Sequence, residues 1–74
     1  MSSRIRRMTA REVESILSQY GFQLISQKGS HRKWRNELLG LQVIVPEHRG
    51  KTLPIGTLRS IFQGAEISDS EWRT

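Results

Sequence analysis

The sequence predicts an α+β domain in the order α-β-β-β-α, a three-stranded antiparallel sheet with two helices on one face. Three observations carry that reading. A one-faced helical pattern comes early, three extended stretches separated by glycine-containing turns follow it, and a second one-faced helical pattern begins behind a proline. No repeat and no low-complexity linker divides the chain, so residues 9–74 are expected to form a single domain.

Residues 1–8, MSSRIRRM, are basic and without a usable period, and are expected to be a flexible arm. Thr9 with Glu12 three positions on has the spacing of a capping box, in which each side chain satisfies the other's backbone N–H. Val13, Ile16, Leu17 and Tyr20 then recur at the spacing of one helix face, which places a first helix over about residues 10–20. Gly21 closes it, and Arg11, Glu14, Ser15 and Ser18 are expected toward water.

The strand register follows from turns and faces. A three-residue loop Gln27-Lys28-Gly29 pairs Phe22 with Trp34, Leu24 with Arg32 and Ile25 with His31. A four-residue loop Glu37-Leu38-Leu39-Gly40 sets Trp34 against Val43 and Arg35 against Gln42. One face then carries Phe22, Leu24, Trp34, Leu41, Val43 and Val45 beneath the helices; the other carries Ile25, Gln27, His31, Lys33, Arg35 and Gln42. Sliding the central strand by one residue would bury Lys33 and Arg35, so the faces are constrained by desolvation cost. Arg32 falls on the apolar face, where its stem is expected to lie along the edge with the guanidinium reaching out.

Pro46 ends the third strand, and the polar stretch 47–52 leads to Pro54 in the first turn of a second helix. Ile55, Leu58, Ile61 and Phe62 line its apolar face, and Gly64 is expected to stop it. Ser68 and Glu71 mark one further turn bearing Trp72, which either caps the core or faces a partner.

Seventy-four residues exclude an enzyme with separate substrate and cofactor lobes. The absence of cysteine removes disulfide and thiolate-metal stabilisation and fits a reducing compartment; with no apolar run of membrane-spanning length, the expected setting is cytoplasmic, without membrane contact. Twelve Lys and Arg against seven Asp and Glu leave a net charge of +5, which favours a polyanionic partner through counterion release.

The charge gathers in KGSHRKWRN, residues 28–36, where Lys28, Arg32, Lys33 and Arg35 surround His31. Lys28, Lys33 and Arg35 are candidate phosphate contacts. Histidine is the side chain best suited to take and return a proton near neutral pH, yet by the residues alone His31 reads first as a tolerated polar group on a strand, with proton transfer behind that. Ser30 reads first as a backbone hydrogen-bonding residue of the hairpin, with a phosphate oxygen as its other reach. His48, beside Arg49 and Lys51, reads first as part of a solvated loop, with a secondary phosphate contact or a second proton-transfer group behind that reading, and Lys51 is a further candidate RNA contact. Gly50-Lys51-Thr52 is not a phosphate loop, because Val45 stands where the first glycine is required. The two histidines lie seventeen positions apart among scattered carboxylates, which matches no ligand spacing, so neither metal nor cofactor is expected. Trp34 alternates onto the helix-covered face, where packing is the expected role rather than base stacking.

The stretches GFQLISQKGSHRKWRN, VIVPEHRGK and LPIGTLRSIF, in that order, resemble the HicA family of small bacterial toxins, whose fold is similar to the double-stranded-RNA-binding domain. The likeness covers about residues 9–68 and rests on the Gly-Phe start of the first strand, the Gly-Ser-His triplet, the Pro-x-His-x-Gly-Lys loop and the Gly-Thr-Leu-Arg-x-Ile helix. It implies an mRNA interferase, a metal-independent endoribonuclease neutralised by a HicB-type antitoxin, with the catalytic histidine at His31 and with Gly29 and Ser30 matching the positions before it. The resembled pattern departs at the apolar hairpin NELLG and at Gln63-Gly64-Ala65-Glu66. Two rival readings keep the same basic face: a non-catalytic RNA-binding module, and a protein-interaction domain that docks an acidic partner.

Overall fold

In the computed structural model, residues 7–72 are described. Thr9 caps the first helix, α1 (Ala10–Gln19), as its spacing requires: its hydroxyl accepts from the Glu12 N–H at 3.3 Å, and the Glu12 carboxylate accepts from the Thr9 N–H at 2.9 Å. The helix ends in a Schellman arrangement. Phe22 N–H donates to the Leu17 carbonyl at 3.0 Å and Gly21 N–H to Ser18 at 3.2 Å, while Gly21 takes the left-handed φ of 88° that this ending needs.

Three strands follow, β1 (Gln23–Lys28), β2 (His31–Asn36) and β3 (Leu41–Pro46), antiparallel in the order β1-β2-β3. The second helix, α2 (Ile55–Gly64), and a 3₁₀ turn over Asp69–Glu71 complete the α-β-β-β-α order that the sequence predicts. Both helices lie on one side and chiefly over β3, whose Val43 and Val45 are buried against Val13 and Leu17 of α1 and Leu58, Ile61 and Phe62 of α2. At about 1.5–3 kcal/mol per buried large apolar side chain, this layer is the main source of stability.

The second hairpin has the expected register, Trp34 opposite Val43 and Arg35 opposite Gln42. The first does not. Its turn is Gly29-Ser30, two residues long, so Lys28 faces His31, Gln27 faces Arg32 and Ser26 faces Lys33. Gly29, with φ 59°, occupies the first central position of a tight hairpin, where a type II′ turn needs a residue free to adopt positive φ. A two-residue turn alone would put Leu24 on the His31 side. A bulge between Leu24 and Ser26 inserts one residue and restores the parity, so that Leu24 faces Trp34 on the helix side of the sheet, but the helices lie over β3 and leave Leu24 on the edge strand exposed rather than covered as expected. Gln27 therefore moves off the open face where it was expected, and Ser26 and Lys28 replace it.

Other expectations are corrected by packing. Met8, expected to end a loose arm, is fully buried, and its carbonyl accepts from Leu53 N–H at 2.8 Å; residues 1–6 of that arm lie outside the described residues. Glu14 is not solvated. One of its oxygens accepts from Arg32 Nε at 2.6 Å and from Trp34 Nε1 at 2.8 Å, which captures the guanidinium that was expected to reach into water. Arg32 also donates to Gln27 at 3.1 Å. Gly64 is the last residue of α2 as expected, but the left-handed residue that closes the helix is Glu66 (φ 57°), with Ile67 N–H donating to Phe62 at 2.9 Å and Glu66 N–H to Gln63 at 3.1 Å. Gly64 instead lets the helix approach the sheet, since a Cβ there would meet Val43 Cγ1 at 3.1 Å. Trp72 caps the core, stacked on Phe62 with ring centroids 4.7 Å apart.

Candidate active site

The face of the sheet turned away from the helices takes its side chains from alternate residues of each strand. Ser26 and Lys28 of β1, His31, Lys33 and Arg35 of β2, and Gln42 and Ile44 of β3 fall on it. His31 is exposed at the first position of β2, paired on one side with Lys28 and on the other with Pro46. Ser26, Lys28, His31, Lys33 and Ile44 line a shallow depression of about 330 Å³. The histidine thus shares the depression with two lysines and one aliphatic side chain. The two-residue turn places Lys28 opposite it; the three-residue loop would have set Ile25 there.

The remaining candidate residues divide among neighbouring surfaces. Arg35 lies two positions along the same face from Lys33, where its Nε donates to Glu37 at 2.8 Å, so part of its charge is already met. Gly29 and Ser30, at the turn, line a hollow of about 260 Å³ with Gln27, Glu47 and Arg49. His48 is not brought to His31: it lines a cleft of about 110 Å³ with Thr9, Ala10, Arg11, Glu47, Arg49 and Gly50. Lys51 is exposed, and its backbone N–H donates to the His48 carbonyl at 2.8 Å. Trp34 is half-buried against the core with its ring N–H on Glu14, as its place on the helix side requires.

Sequence reasoning left Ser26 and Ile44 out of the site, and passed over Arg11 and Arg49. The signal for the first pair was present. Gly-Ser between two extended runs is a two-residue hairpin signature, and counting strand positions from it brings Ser26 to the His31 face and sets Ile44 beside it. Nothing in the local pattern marks the second pair, since the cleft they share joins the start of α1 to a loop almost forty positions later.

Ion pairing separates the cations further. Among the described residues the ion pairs are Arg32–Glu14 and Arg35–Glu37, which leaves Lys28, Lys33, Arg11 and Arg49 outside any. No three His, Asp or Glu side chains come together among the described residues, and no described helix is long and apolar enough to cross a membrane. The arrangement at His31 offers an exposed imidazole that shares one depression with two lysines outside any ion pair among the described residues, which suits chemistry on a phosphodiester.

A family profile described as "HicA toxin of bacterial toxin-antitoxin" matches residues 10–67, from the first residue of α1 through the residue that follows the left-handed ending of α2. Neither a curated protein nor a solved structure matches the chain.

Proposed function

The chain belongs to the HicA family, toxins of bacterial toxin–antitoxin systems, and on that premise we propose that it is an mRNA interferase, a metal-independent endoribonuclease that uses His31 as its proton-transfer group. The observation that carries this reading is the position of His31: exposed on the side of the sheet that the helices leave open, opposite Lys28 and two residues from Lys33.

RNA supplies its own nucleophile. His31 takes the proton from a 2′-hydroxyl as that oxygen attacks the adjacent phosphorus, and the bond to the 5′-oxygen of the next nucleotide breaks. A 2′,3′-cyclic phosphate and a 5′-hydroxyl result, the leaving oxygen taking its proton from water or from the imidazolium. Lys28 and Lys33 hold the phosphate and offset the charge that builds on its oxygens. General acid–base help contributes about 10²- to 10⁴-fold, and positioned charge adds a factor of similar order, which is enough for a toxin that needs few turnovers. Gly29 and Ser30 shape the turn beside the bound strand, and Arg35, His48 and Lys51 are outlying contacts to the RNA. The partner is a HicB-type antitoxin that covers the basic face, the pair acting in the cytoplasm.

Incubating the purified chain with mRNA in excess chelator tests this. Fragments should appear with the unmodified chain and disappear with His31→Ala. RNA that is shifted but left intact by both proteins would reduce the chain to a binding module.

A further inference from the structure

We infer that Arg11, His48 and Arg49 form a second phosphate-binding site, which holds the RNA backbone as it passes from the His31 depression around the Gly29-Ser30 turn; this rests on the RNA-cleaving reading above. The loop that carries it is built, not loose. Glu47 N–H donates to the Ser30 carbonyl at 2.8 Å, so the connection after β3 is tied to the first hairpin's turn. Lys51 N–H closes back on the His48 carbonyl at 2.8 Å, and Gly50 takes φ 73°, the geometry of a hydrogen-bonded turn with the positive-φ residue third. Arg49 stands at the tip of that turn.

Arg49 lines two hollows at once. One holds Gly29 and Ser30; the other holds Arg11 and His48. The shared wall of Glu47 and Arg49 joins these two hollows into one path from the hairpin turn to the start of α1, and the turn itself is next in the chain to Lys28 and His31 of the depression. The far cleft measures about 110 Å³. Pockets for drug-sized ligands run to roughly 300–1,000 Å³, and a water molecule's share of liquid is about 30 Å³, so this cleft suits a single tetrahedral anion rather than a base or a cofactor.

Charge points the same way. Arg11 and Arg49 take part in no ion pair among the described residues, whereas Arg32 and Arg35 do. Glu47 shares the wall, but one carboxylate against two guanidinium groups leaves the cleft positive. Guanidinium presents paired donors that match two phosphate oxygens, so two arginines across a small cleft recognise a backbone phosphate without reading sequence.

The test uses the full chain with His31→Ala to prevent cutting, and a mixed-sequence single-stranded RNA of roughly 12 nucleotides, long enough to follow the path. Binding is measured by fluorescence anisotropy across a salt series. Arg11→Gln with Arg49→Gln should lower the slope of log K against log salt by about 1.4, two contacts at about 0.7 each for single strands. Arg59→Gln, an exposed cation on α2 outside the path, should leave the slope nearly unchanged. Equal slopes for the double variant and its parent would overturn the site, as would a loss per charge at Arg59 equal to that at Arg11 and Arg49. If the parent binds RNA and the unmodified chain cuts it, such a result removes this site alone; if neither binding nor cutting is seen, the RNA reading falls and takes the site with it.

Discussion

Replacing Glu14 by alanine should cost about 2–3 kcal/mol of folding stability, which follows from what a single carboxylate oxygen holds. Glu14 Oε2 accepts from Arg32 Nε at 2.6 Å and from Trp34 Nε1 at 2.8 Å, and the Glu14 side chain is 12% exposed while that of Arg32 is 25% exposed. Hydrogen bonds to charged groups contribute about 1.5–3 kcal/mol each when shielded, and solvent around Arg32 places this pair toward the low end. Alanine removes the acceptor and leaves a half-buried guanidinium and an indole N–H to find water. Glutamine keeps a carbonyl oxygen of similar reach, so Glu14→Gln should cost only about 1 kcal/mol, the part due to charge. Glu37→Ala is the control: its pair with Arg35 is exposed, and such pairs are worth less than about 1 kcal/mol. Urea titration gives the three values, and a thermal melt should fall by about 8–24 °C for Glu14→Ala in a domain of this size. If Glu14→Ala and Glu37→Ala cost the same, the helix-to-sheet tie contributes nothing and the reasoning fails.

Met8→Ala removes a fully buried side chain and should cost about 2–5 kcal/mol by urea titration, where an arm residue would cost almost nothing. Glu66→Gly relieves a left-handed residue at the end of α2 and should stabilise the chain by about 1 kcal/mol, with no change in RNA cleavage. The Tyr20 hydroxyl donates to Glu71, and that hydrogen bond, then lost solvation, then the carboxylate's charge, raise its phenol above the ordinary 10.0. The unfolded chain therefore releases this proton first, so Tyr20's contribution is complete below pH 10.0 and is lost as pH rises further; Tyr20→Phe should flatten the alkaline fall of stability in a titration.

The architecture was legible because its signals are local. A capping box, two apolar stripes at helical spacing and the alternation of Trp34 with Val43 each sit within a few residues of their partners. What escaped was set by single-residue geometry or by distant contacts. The first hairpin's turn differs from the expected loop by one residue, and the bulge at Ile25 repairs the parity, so Leu24 keeps its expected side, though exposed, while Gln27 leaves the open face and Lys28, expected in the loop, joins it. Met8, Glu14 and Arg32 follow neither period, because each is decided by a partner brought to it by the fold: Leu53, Trp34 and Gln27. His31, Lys28 and Lys33 were readable as a basic cluster, but that they surround one depression is a property of the register.

The central claim, that His31 removes a proton from the RNA's own 2′-hydroxyl, is tested most directly by the chemistry of the cut. A short RNA with a single 2′-deoxy nucleotide at its mapped cleavage position should resist the chain, while the unsubstituted RNA should yield fragments ending in a 2′,3′-cyclic phosphate by mass spectrometry. Cutting of the 2′-deoxy position at the same rate would contradict the mechanism, because the proton that His31 is assigned to take would not be there.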